Sequence, residues 1–115
     1  MPYKLTDRHN QSCWVHGKAS VKYSTDEWSE APEWLAEKGY HLTYFDDLWI
    51  AESWLSIADR IWLVDIEGKV SLPRMAAASA VGDGFLKLGG PDRRNWPKGT
   101  RMAKRIILRE LVLVK

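Results

Sequence analysis

Residues 40–73 set what the rest of this chain must pack against. The run opens with a short aromatic strand over 40–45, in which Tyr40, Leu42 and Tyr44 share one face and His41 and Thr43 the other. A segment over 47–59 follows with a helical period. On a wheel of 100° per residue, Leu48, Ile50, Ala51, Trp54, Leu55, Ile57 and Ala58 gather on one half, and Glu52, Ser53, Ser56 and Asp59 on the other. Asp46 or Asp47 supplies the N-cap. Residues 61–66 are apolar on both faces, the pattern of a central strand. Glu67-Gly68 then reads as a hairpin turn, with Val70 and Leu72 alternating on the return strand.

Residues 1–12 are polar and read as a loose arm. From Cys13 to Tyr23 the period is two, so Trp14, His16, Lys18 and Lys22 share the outward face of a half-buried strand. Ser24 and Glu27 have the capping-box spacing. Ser29 is the better N-cap, giving a short helix over 30–38 with Pro32 in its first turn and Gly39 past its end. Arg74–Val81 is alanine-rich and suggests a short helix, 85–88 a short strand, and 89–99 a loop dense in turn residues. The tail over 102–115 reads as a strand, with a helix from Thr100 as the alternative. The expected fold is α+β in one domain: a mixed or antiparallel sheet of about five strands, with one main amphipathic helix packed on one face.

Composition narrows the function classes. The chain has 115 residues, of which 45% are hydrophobic and 28% charged, so it can bury a core and is not a disordered segment. It has no apolar run of the ~18 residues a membrane helix needs, and its first residues lack an apolar leader. A single cysteine forms no internal disulfide, so a reducing, cytoplasmic setting is expected. Net charge is +2, but it is split. From Ser24 to Asp59 nine acids face only Lys38, and from Pro73 onward ten bases face three acids. Such a split either steers a partner or ties two halves of the molecule together.

Seven tryptophans are many for a chain of this length, and some should reach the surface, where indoles anchor partners. Trp49 falls among the polar residues of its wheel and is a contact candidate. Trp14, His16 and Trp96 complete the partner-binding set. The loop and strand carrying Arg93, Arg94, Trp96, Lys98, Arg101, Lys104 and Arg105 have the composition of a site that holds phosphates and stacks on a base. That makes single-stranded nucleic-acid binding the alternative. A small enzyme is the third reading, but there is no nucleophile elbow, phosphate loop or paired metal-ligand motif. Cys13 and His16 point to opposite faces of a strand, and with His9 and His41 they make no zinc pattern. No catalytic residue, metal or cofactor is assigned.

Gly39-Tyr40-His41, the tryptophan-bearing segment after it, residues 61–70 ending in Glu67-Gly68-Lys69-Val70, and the closing Arg105-Ile-Ile-Leu-Arg-Glu-Leu111 resemble small phage- or prophage-encoded proteins of unassigned function. The resemblance implies a bacterial host cytoplasm and action by binding and blocking a host protein or nucleoprotein complex. It implies no catalytic residue.

Overall fold

A computed structural model of the chain describes residues 1–13, 20–73, 96 and 98–115. Within them, five antiparallel strands and two very short helices follow in the order β1 (Tyr3–Thr6), β2 (Ser29–Glu30), α1 (Glu33–Ala36), β3 (Leu42–Phe45), α2 (Leu48–Glu52), β4 (Arg60–Val70) and β5 (Thr100–Val114).

Strand β1 pairs with both β3 and β4, and β5 pairs with the same two, so these four close into a ring. Strand β2 extends β3 along one edge of β5, with Ser29 opposite Ile106. Closure removes free edges over the paired lengths. It requires strong twist, and β5 takes it through an extra residue at Arg109 and another at Val112, where its register against β4 shifts.

The ring separates two apolar layers. Cross-strand partners share a face. Lys4 and Trp62 are partners, as are Leu42 and Ala103, and they point inside with Tyr44, Val64, Ile106 and Leu108. Leu5 and Ile61, also partners, point outside with Phe45. That outer layer is covered by Ala51 of α2 and Ala58, with Trp54, Leu55 and Ile57 packed around them.

The antiparallel sheet agrees with expectation; several details do not. The single main helix over 47–59 is not there. Helix α2 stops at Glu52, where Ser53 caps it and its hydroxyl donates to Ile50 O at 2.6 Å. Successive turns carry the chain on, Trp54 N–H donating to Ala51 O and Ile57 N–H to Trp54 O. These i→i+3 bonds keep a near-helical period, which is why the wheel still identifies the buried side chains. The helix over 30–38 shrinks to α1. Its cap is Pro32, because Ser29 lies in β2 and its hydroxyl donates to Lys22 O instead.

Glu67-Gly68 is not a turn. Strand β4 runs straight through it, with Glu67 opposite Arg105 and Lys69 opposite Ala103. Gly68 takes φ +74°, and a side chain there would press on Lys104 Cβ at 3.1 Å. The glycine is required by the ladder itself. Nor is the amino-terminal stretch a loose arm, since it contains β1, with Leu5 and Thr6 buried. Most of the strand expected over 13–23, residues 14–19, lies outside the described residues. Of the described residues on either side, Ser12 N–H donates to Val21 O at 2.9 Å, and Gln11 and Lys22 form an antiparallel bridge. The closing segment is a strand rather than a helix. The helix expected over Arg74–Val81, the strand over 85–88 and most of the loop over 89–99 lie outside the described residues.

Candidate functional site

Helix α2 is fixed at both ends and along one side. Asp47 is its N-cap, its Oδ1 accepting the Trp49 N–H at 2.8 Å. Ile50 lies against Gly99, whose positive φ and missing Cβ allow that approach. With Ala51 fully buried and Leu48 and Ile50 packed inward, the period drives Trp49 outward, and its side chain is 78% exposed. Asp46, Asp47, Glu52 and Ser53 around it are all exposed. A pinned helical turn thus presents one bare indole in an acidic frame.

The basic carboxyl-terminal strand is arranged differently. Its arginines meet acids from the middle of the chain: Arg101 Nε lies 3.7 Å from Asp46, Arg105 Nη1 donates to Glu67 at 3.0 Å, and Arg109 Nε donates to Asp65 at 2.7 Å. At Arg101 the charge split therefore works to join two parts of the molecule, whereas Asp65 and Glu67 lie outside its acidic segment. These pairs are half exposed and individually weak. Lys98 and Lys104 are exposed without an ion pair among the described residues.

Trp96 is turned inward rather than presented. Its Nε1–H donates to Pro73 O at 2.8 Å, its ring sits 6.3 Å from that of Tyr40, and it packs on the outer apolar layer. Trp14, His16, Arg93 and Arg94 lie outside the described residues. Among the described residues singled out from sequence, only Trp49 combines a large apolar surface with exposure.

Two arrangements escape a sequence reading. One is an open cleft of about 630 Å³ formed by residues 20–32, with Tyr23, Trp28, Glu27 and Glu30 among its walls. The Arg105 guanidinium lies 5.0 Å over the Trp28 ring, with Nε 3.6 Å from Glu30. Only the β2–β5 register brings these residues together, and no local spacing announces it. The other is Lys4, buried in the wall of the ring. Its Nζ donates to Thr43 O at 2.6 Å and to Thr43 Oγ1 at 3.2 Å, and lies 4.8 Å over the Tyr23 ring. Burial lowers this ammonium to a pKa of about 8, and pushes the neighbouring Cys13 thiol up to about 11. Burial likewise raises the Tyr23 phenol. Among the described residues no histidine, cysteine and carboxylate group could hold a metal, and no helix is long and apolar enough to cross a membrane.

No family model, curated protein or solved structure matches the chain. The resemblance to phage-encoded proteins therefore rests on the quoted residues alone.

Proposed function

We propose that this chain is a non-enzymatic interaction module that docks through Trp49, in the manner of a phage-type inhibitor, onto a host protein or nucleoprotein complex. The observation that supports this is the indole held 78% exposed on a turn fixed by its cap and by Ile50. An indole carries up to ~250 Å² of surface. Covering the exposed part would contribute roughly 4–5 kcal/mol at ~25 cal/mol/Å², before the costs of association. That is the scale of an interface hot spot. The charge pattern adds direction. The arginines of β5 are occupied by acids of the same molecule, whereas the acids beside Trp49 include two, Asp47 and Glu52, with no ion pair among the described residues. A partner with a basic rim around an apolar notch fits that face.

Affinity capture from a bacterial lysate tests the reading. Wild-type protein and Trp49→Ala, matched for thermal stability, are compared as baits. Loss of a stoichiometric partner with Trp49→Ala is expected. Equal recovery by both baits removes Trp49 from the interface and the proposal with it.

A further inference from the structure

Among the described residues, Trp28 and Trp49 each lie beside two carboxylates, and a cation of the chain is recorded over the ring of Trp28 but not of Trp49. At Trp28 the set is complete. The Arg105 guanidinium lies 5.0 Å from the ring centroid, its Nε is 3.6 Å from Glu30, and its Nη1 donates to Glu67 at 3.0 Å. An indole face with two flanking carboxylates, on this protein's own showing, accommodates an arginine.

At Trp49 the same residue types come together. Glu52 follows by three residues on α2, the spacing that places side chains side by side on a helix surface. Asp47 precedes by two and is tied to the Trp49 backbone through Oδ1. Among the described residues neither carboxylate is in an ion pair, and no cation lies over the Trp49 ring. Arg101, on the adjoining strand, is directed instead to Asp46, at 3.7 Å.

We propose that the Trp49 face is an arginine-recognition site: a guanidinium from the protein partner lies over the exposed indole and donates to the carboxylates of Asp47 and Glu52. This rests on the interaction reading above and specifies its partner's chemistry. Arginine suits the site better than lysine. Its planar, weakly hydrated head stacks on an indole while its edge N–H groups still reach carboxylates, whereas an ammonium is a compact, strongly hydrated point charge.

The test is a titration of the ¹⁵N-labelled protein with a blocked tri-arginine peptide at low salt, followed at the Trp49 indole N–H. That signal is assigned by its loss in Trp49→Phe. A saturable shift is expected. Tri-lysine should bind several-fold more weakly, and Glu52→Gln should weaken tri-arginine binding about two- to five-fold, the scale of an exposed ion pair. An indole signal that does not move, that responds equally to tri-lysine, or that is indifferent to Glu52→Gln overturns the assignment. The two readings fail separately. Capture lost in Trp49→Ala with no arginine response leaves a docking site of other chemistry. An arginine response with capture unaffected leaves the arginine site and removes it from the lysate interface.

Discussion

Replacing Lys4 with methionine should change how stability depends on pH more than it changes stability at neutrality. Lys4 is 6% exposed, and the groups around its ammonium are the Thr43 carbonyl and hydroxyl, the Tyr23 ring, the Cys13 thiol and its cross-strand neighbour Trp62. Burial lowers its pKa from 10.5 to about 8 in the folded protein. Between those values the unfolded chain holds the proton and the folded chain releases it, so stability rises with pH across this window. The charged form below pH 8 costs the fold about 3 kcal/mol, at 1.36 kcal/mol per unit. Between pH 7 and pH 9.5 the relief amounts to about 2 kcal/mol. Cys13 works the other way. Its thiol is raised from 9.0 to about 11, so its contribution is fully present below 9 and is lost as pH climbs toward 11. The Tyr23 phenol, also raised, acts in the same sense at still higher pH.

Subtraction isolates the lysine, because both chains carry Cys13 and Tyr23. Urea melts of wild type and Lys4→Met at pH 7.0 and 9.5 give four stabilities. Wild type should gain about 2 kcal/mol relative to the variant over that interval. At pH 7 the difference should be small, since removing a costly buried charge offsets the loss of two hydrogen bonds worth about 1 kcal/mol each. Parallel pH profiles for the two chains would refute the placement of a protonated amine inside the ring.

Other outcomes follow from the packing. Gly68→Ala should cost about 1–2 kcal/mol in a denaturant melt, because φ is +74° and the new Cβ meets Lys104 within the ladder; a neutral result would contradict both the left-handed backbone and the close contact at this position. Ile106, fully buried inside the ring, should cost about 3–4 kcal/mol when cut to alanine. Trp49→Ala should leave the melt within about 0.5 kcal/mol of wild type, as a surface change does. A labelled single-stranded oligonucleotide should bind weakly, with an affinity indifferent to Arg105→Ala, since that side chain is held by Glu30 and Glu67; tight binding with a steep salt slope would favour the nucleic-acid reading instead.

The sequence was informative where burial follows a period. The β-branched tail, the strand through Ile61 and Val64 and the outward place of Trp49 all follow from spacing. It misled where tertiary contacts overrode local signals. Lys4 and Thr6 made β1 look like a polar arm, yet closing the ring buries both, the lysine against Thr43 and Tyr23. Gly68 looked like a hairpin because left-handed glycines usually mark one, and here the same conformation serves a close strand contact. The wheel over 47–59 could not separate a helix from a helix followed by tight turns, because both bury Trp54, Leu55 and Ile57 alike. Trp96, in a stretch of turn residues, gave no sign that Pro73 O would draw its indole inward. The Trp28–Arg105 unit depends on a strand register that single-chain periodicity does not contain.

The docking role of Trp49 is tested most directly by calorimetric titration of the captured partner with wild type and with Trp49→Ala. A hot spot of at least 2 kcal/mol corresponds to a loss of affinity of about thirty-fold or more, with no change in the melting midpoint of the free protein. Affinities equal within about two-fold would show that this indole, though bare, is not where the partner binds.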